Sequence, residues 1–139
     1  LIQGEANSVG PGKRMLSSMT PTIAWRGQQV IVTGSPGGST IPTATAQVLL
    51  NLSVDGDVLQ AAVDRARVHH QWMPDMLRVE AEALSPVSAR ALERRGHELR
   101  TVHKLGETHS VRGMVGGEFH AAQDPRGPGG AGVVTPAVD

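Results

Sequence analysis

Gly34-Ser35-Pro36-Gly37-Gly38-Ser39-Thr40 is the stretch from which the fold can be read. Val30-Ile31-Val32-Thr33, rich in β-branched residues, leads into it. In residues 41–52, which lead out, Ile41, Ala44, Val48, Leu49 and Leu52 recur at helical spacing. A strand, a glycine turn and a helix are therefore expected in that order. The first N–H groups of a helix have no acceptor within it, and the helix dipole adds partial positive charge there. Such a turn suits negative charge, on a bound anion or on an oxygen that becomes negative during a reaction. Paired glycines also let a substrate approach the backbone closely. Three roles stay open on these residues: a phosphate cradle, a structural turn, and an oxyanion hole or substrate clamp. The first is the weakest, because both the Lys-Ser/Thr ending of the P-loop and the Gly-x-Gly-x-x-Gly spacing are missing.

Upstream, residues 22–25 and 29–33 are β-branched runs separated by Arg26-Gly27-Gln28, which predicts a hairpin. Ser17-Ser18 stands at the entry of that hairpin and the glycine turn at its exit, so both can lie at one sheet edge. The serines could be a nucleophile, donors to a substrate carboxylate, or loop hydroxyls bonded to their own backbone. The Gly-x-Ser-x-Gly elbow of a serine nucleophile is absent. Residues 1–15 read as an irregular loop. Downstream, Asp55-Gly56-Asp57 ends the helix and a shorter one follows over 58–64. An extended run is expected at 67–72, a turn at Met73-Pro74-Asp75, and a strand at 76–80. Ser85-Pro86 opens a helix that runs through Arg94 and stops at Gly96. Strands are expected at 97–103, 109–115 and 118–122, with Gly116-Gly117 as a hairpin turn. A turn-rich segment at 124–130 and a frayed tail at 133–139 close the chain. The pattern is α+β with antiparallel strands.

The 139 residues suit one domain, and thirteen basic residues balance thirteen acidic ones. Nothing in that balance points to nucleic acid or an anionic membrane as partner. Trp25, Trp72 and Phe119 are the only aromatic residues, few for a core that must stand alone. The absence of Cys excludes disulfides and thiolate metal sites. No stretch reads as a membrane span or signal peptide. The chain opens at Leu1 in a polar, loop-like stretch, and reads as a piece of something longer. His69-His70 invites a metal hypothesis, but neighbours on a strand face opposite sides, which favours a structural role. Glu93, Arg94 and Arg95 read as a solvated helix face. Arg65 and Arg67 fit the same description, with a buried carboxylate as the alternative partner for Arg67. Thr108, beside His109 and inside a strand pattern, has no free amino group and reads as structural.

Taken together, Pro11-Gly12-Lys13-Arg14, Leu16-Ser17-Ser18-Met19-Thr20-Pro21-Thr22, Thr33-Gly34-Ser35-Pro36-Gly37-Gly38 and His69-His70-Gln71-Trp72 resemble the small subunit of γ-glutamyltransferases. Gly4-Glu5-Ala6-Asn7 and Asp124-Pro125-Arg126 fit the same pattern, so the resemblance runs over residues 1–132. It implies part of an N-terminal-nucleophile hydrolase, a four-layered αββα sandwich made by self-cleavage of a precursor into two subunits. An N-terminal Thr would attack the γ-glutamyl amide of glutathione or a similar compound. The acyl group would then pass to water, an amino acid or a dipeptide, without metal or organic cofactor. By the same resemblance Gly37 and Gly38 match the oxyanion-hole pair, and Ser17 and Ser18 the pair that holds the substrate's α-carboxylate.

The resemblance also implies what lies elsewhere. The nucleophile sits in a Thr-Thr-His type motif before this stretch, the groups that bind the substrate's amino group precede it too, and a carboxylate-binding arginine belongs to the large subunit. The remainder of the precursor is thus the expected partner, and the family's setting is periplasmic or extracellular. Arg65-Ala66-Arg67-Val68 stands where the family usually has Ala-Pro-Arg-Phe, a local packing change. A non-catalytic truncated homologue and a related cephalosporin-type acylase are the competing expectations. Half a sandwich should expose an apolar sheet face and be poorly stable alone.

Overall fold

A computed structural model describes residues 4–136; the first three residues of the expected N-terminal loop and the last three of the expected tail lie outside it. The hairpin forms as the β-branched runs require. Strands β1 (Thr22–Arg26) and β2 (Gln29–Gly34) pair antiparallel, with Ile23 opposite Val32 and Thr22 opposite Thr33. A 3₁₀ turn, Gly38–Thr40, passes directly into helix α1 (Ile41–Ser53), and α2 (Leu59–Asp64) follows. Next come β3 (Val68–His69), β4 (Leu77–Glu80), α3 (Pro86–Arg94), β5 (Leu99–Val102), β6 (His109–Met114), β7 (Phe119–Ala122) and β8 (Val133–Val134).

Two sheets result: a five-stranded one in the order β1-β2-β6-β7-β8 and a three-stranded one in the order β3-β4-β5. Helices α1 and α2 cover one face of the larger sheet. Ile31 and Ala122 from that face meet Val48, Leu52, Leu59, Ala62 and Val63 in the core. Alternation along the strands puts Ile23, Trp25, Val30 and Val32 on the other face, and their register partners Val111, Gly113, Ala121 and Phe119 with them. That face is apolar yet open: Trp25 is 75% exposed and Ile23 62%. A sheet apolar on both sides belongs in the middle of a layered sandwich.

Some details depart from expectation. β4 and β5 run parallel rather than antiparallel. The intervening α3, capped by Ser85 accepting from the Ser88 N–H, returns the chain to the same end of the sheet. The extended run at 67–72 pairs only over Val68–His69. Beyond it the chain turns, with Trp72 at positive φ and its N–H donated to the His70 ring, while Pro74 has no N–H for a ladder. Val133–Val134, expected to fray, pair with His120 and Phe119 as an edge strand. Within the N-terminal loop Glu5–Asn7 form one 3₁₀ turn.

Candidate active site

The hairpin does bring the two sequence-predicted groups together. Ser18 Oγ donates to the Gly38 carbonyl at 2.6 Å, across twenty residues of chain. Ser17 Oγ accepts from the Met19 N–H at 3.2 Å, and among the described residues its own hydroxyl proton has no acceptor. Ser17, Ser18 and Ser39 line a cleft of about 370 Å³ with Asn7, Leu16, Gln71 and Met73.

The turn itself is built from clamped peptides. Ser35 Oγ donates to the Pro36 carbonyl at 2.7 Å. Thr40 Oγ1 donates to the Gly37 carbonyl at 2.9 Å. Ser18 then holds the Gly38 carbonyl as above. In a trans peptide the N–H points opposite to the C=O. Each hydroxyl therefore fixes the direction of the following N–H: Gly37, Gly38 and Ser39 in turn. Standing at the start of the helical run, these N–H groups have no partner within it.

The two glycines are needed for different reasons. Gly37 has φ +131°, and a Cβ there would lie 2.5 Å from Thr40 Oγ1. Gly38 has φ +60°, and its Cβ would meet nothing within 4 Å. The space beside Gly38 is thus open for an incoming group, while the space beside Gly37 is filled by its own clamp.

Two networks, the first half-buried and the second buried, hold this turn from behind. In the first, Ser39 Oγ donates to Gln71 Oε1 at 2.5 Å, and His69 Nε2 approaches the same oxygen at 3.0 Å. Since that oxygen only accepts, the proton sits on His69 Nε2, and Nδ1 takes the Thr43 hydroxyl at 2.7 Å. Burial pushes the His69 pKa down, so the ring is neutral at physiological pH. His70 turns the other way, to Asp75 at 3.0 Å. The two rings therefore serve different neighbours, as strand alternation predicts.

In the second network, Arg67 is 1% exposed and donates to Asp124 Oδ2 at 2.8 Å, to Thr108 Oγ1 at 3.0 Å and to the carbonyls of Val63 and Leu105. Asp124 also accepts from the Thr108 N–H at 2.6 Å and from Arg126. Glu80 accepts from Arg126 and from the N–H groups of Arg67 and Leu105. Burial opposes the charge on Asp124, but the Thr108 N–H and the Arg67 guanidinium outweigh it and bring the pKa down to about 2. The same contest, won by Arg126 and backbone N–H groups, lowers the pKa of Glu80. This network fixes the 105–108 loop, whose Gly106 lies against Gly37 and whose Glu107 N–H donates to Ser35 Oγ at 3.0 Å. Thr108 is fully buried in it, so it is a structural residue. Arg65, in contrast, stays at the surface with Asp55 and Asp57.

Asn7, Ser39 and Gln71 line the same cleft as Ser17 and Ser18, although composition and spacing assigned them no role. The available signal was the i, i+2 relation of His69 and Gln71, which puts both on one strand face. Among the described residues no group of three or more His, Asp or Glu is placed to hold a metal ion.

A two-sheet α+β layout with helices outside, and a clamped glycine turn at a sheet edge, define part of an N-terminal-nucleophile hydrolase fold. The family model for Gamma-glutamyltranspeptidase matches residues 2–134, and the chain belongs to that family. It is 46% identical over 129 residues to the glutathione hydrolase proenzyme of Escherichia coli K12, covering 91% of this chain and 22% of that protein. Its structure superposes with a TM-score of 0.80 on the γ-glutamyltranspeptidase of Pseudomonas nitroreducens complexed with L-DON, at 38% identity, covering all of this chain and 72% of that one. A cephalosporin acylase from Bacillus halodurans shares the fold, with a TM-score of 0.63 at 24% identity over 78% of this chain and 20% of that one. The chain thus spans less than a quarter of the E. coli relative's length.

Proposed function

We propose that residues 1–132 are the C-terminal portion of the small subunit of a γ-glutamyl-transferring hydrolase, with glutathione or a similar γ-glutamyl compound as donor. Gly37 and Gly38 supply the oxyanion hole and Ser17 and Ser18 the site for the donor's α-carboxylate. The observation that carries this reading is the set of clamped peptides. N–H groups fixed before the reaction begins stabilise an oxyanion without reorganising, and such preorganisation is worth about 3–4 kcal/mol per donor. Ser17, with its proton uncommitted, is the better placed of the two serines to donate to a carboxylate. Ser18 spends its proton on the turn in this structure, and so links carboxylate recognition to the oxyanion hole.

The attacking group in this account is a threonine from the rest of the precursor; the 139 residues contain no Thr-Thr-His stretch. It adds to the γ-carbonyl carbon, the carbonyl oxygen takes the negative charge toward Gly37 and Gly38, and the amine departs. Water, an amino acid or a dipeptide then accepts the acyl group. The open sheet face bearing Trp25 and Ile23 is the surface on which the remaining layers of the precursor pack. By the same family reading the enzyme works in the periplasm or outside the cell.

The test is hydrolysis of a γ-glutamyl anilide by the complete gene product that contains this chain. Gly38→Ala, whose Cβ enters the open space beside the turn, lowers kcat roughly a hundredfold or more. Ser17→Ala chiefly raises KM. Normal kinetics in both variants would remove the assignment, and an inactive wild-type protein would favour a non-catalytic homologue.

A further inference from the structure

His69 stands in a row of basic side chains. It is the direct register partner of Arg78 on β4, and Arg78 is that of Arg100 on β5. Directly paired residues leave a sheet on the same face, so the imidazole and two guanidinium groups follow one another across β3, β4 and β5. Arg78 is half-buried and donates to Gln71 Oε1 at 3.2 Å, while Arg100 is exposed. The ring's own hydrogen-bond partners, Thr43 from α1 and Gln71, are uncharged. His70 turns away to Asp75. Arg78 and His70 are the titratable groups close enough to act on the His69 ring, and both oppose a proton on it. Through its partners the ring reaches the glycine turn twice. Gln71 Oε1 accepts from Ser39 Oγ at 2.5 Å, and Thr43 Oγ1 lies 3.0 Å from the carbonyl of Thr40, the residue that clamps Gly37.

We propose that His69 is a positioning residue for the glycine turn, that it acts only as the neutral ring, and that a proton on it releases the turn. The inference rests on the acyl-transfer reading above and adds a control on its oxyanion donors. The neutral ring donates from Nε2 and accepts at Nδ1, so both of its partners are satisfied. Gln71 Oε1 already takes three donors, one of them from a cation. A charged ring would be the third positive charge in the row, and like charges directly opposite destabilise a sheet. His69 is 2% exposed, so water does not solvate that charge. No Asp or Glu lines the cleft that Arg78 and Arg100 share, so no carboxylate there offsets it. The protonated ring therefore withdraws from Gln71, and Ser39 loses the acceptor that ties it to the segment after β3. The Ser39 N–H and the Gly38 carbonyl belong to one peptide. Freeing Ser39 thus also disturbs the carbonyl that Ser18 holds at 2.6 Å.

The experiment is the pH profile of kcat/KM for a γ-glutamyl anilide, which reports groups of the free enzyme, using the complete gene product. Burial and the neighbouring Arg78 hold the His69 pKa below its ordinary 6.5. The ring is therefore neutral on the alkaline plateau, and kcat/KM falls through an inflection below 6.5 as the ring takes up its proton. Arg78→Gln removes the adjacent cation and moves that inflection to higher pH by about half a unit or more, whereas Arg78→Lys keeps it near its wild-type place. His69→Leu lowers the plateau by roughly tenfold, the size of one lost donor. His69→Gln, a neutral donor that cannot take a proton, recovers most of the plateau and loses the inflection that Arg78→Gln moves. An inflection in the same place in the wild type, Arg78→Gln and Arg78→Lys overturns the proposal, even where the His69 variants fail to fold. So does an unshifted inflection in a folded His69→Gln protein. Failure of the wild type to turn over the anilide at any pH refutes the acyl-transfer reading, and the role of His69 falls with it.

Discussion

Thr40→Val tests the clamped-turn idea most selectively. The change is nearly isosteric and removes only the hydroxyl that donates to the Gly37 carbonyl at 2.9 Å. Thr40 is 7% exposed, so the added methyl stays out of water, and the β-branched shape at the helix start is kept. The lost hydrogen bond costs about 1 kcal/mol of stability. The Gly37 carbonyl keeps only the long 3.3 Å bond from the Thr40 N–H. Flanked by two glycines, the Gly37–Gly38 peptide then rotates more freely, and the Gly38 N–H is no longer aimed in advance. The donor is loosened and not removed, so the loss is smaller than for deletion of an oxyanion donor. We expect a fall in kcat of roughly tenfold, about 1.4 kcal/mol of activation free energy. KM changes little, because the serine site is untouched. The assay is steady-state hydrolysis of a γ-glutamyl anilide by the complete gene product, with a thermal melt to confirm folding. Thr40→Ser, which keeps the hydroxyl, stays near wild type. A folded Thr40→Val protein with kcat within twofold of wild type would refute the reasoning. So would a Thr40→Ser variant as impaired as Thr40→Val.

Other expectations concern the fold around the turn. Gly37→Ala forces a Cβ to within 2.5 Å of Thr40 Oγ1, whereas Gly38→Ala meets nothing within 4 Å; thermal melts should show Gly37→Ala as clearly the more destabilised, with Gly38→Ala losing only about 1–2 kcal/mol for its left-handed backbone. Arg67→Met leaves Asp124 and Glu80 with one cation fewer in a buried cluster, and chemical denaturation should show a loss of roughly 3–5 kcal/mol. The depressed pKa of Asp124, about 2, contributes stability that is fully present above its ordinary value of 3.8 and is lost as pH falls through 2. This contribution is about 2 kcal/mol, and denaturation at pH 5 and pH 2 should show it in the wild type and not in Asp124→Asn. The 139-residue chain alone, with Trp25 75% exposed on its open sheet face, should bind a hydrophobic dye and melt without a sharp transition; a cooperative melt with native near-ultraviolet signals would contradict that.

The strand–turn–helix unit was legible because each of its parts has a local cause. β-Branched residues 30–33, the paired glycines and the helical period from Ile41 to Leu52 need no distant partner to be recognised. The pairing of Ser17-Ser18 with the turn was legible for the same reason, since a short hairpin fixes both ends. The parallel pairing of β4 with β5 was less visible. It depends on where α3 delivers the chain, and α3 buries none of its residues fully, so its sequence shows little of what it packs on. The pairing of Val133–Val134 was hidden because two exposed valines form too short a run for periodicity. The clamps by Ser35 and Thr40 and the Ser39–Gln71–His69 chain were out of reach for a different reason. Serine and threonine in turns commonly bond their own backbone, and only coordinates show which carbonyl each one holds. Arg67 is intermediate: a buried carboxylate partner was one stated option, but its identity as Asp124, fifty-seven residues away, needed the fold.

The central claim is that Gly37 and Gly38 present prealigned N–H groups to a reacting acyl oxygen. A crystal structure of the complete gene product with a tetrahedral γ-glutamyl phosphonate tests it most directly. The account predicts a phosphonyl oxygen about 2.7–3.1 Å from the backbone nitrogens of Gly37 and Gly38, with the glutamyl α-carboxylate on the Ser17 hydroxyl. A phosphonyl oxygen held by other donors, with both glycine N–H groups facing away, would contradict it.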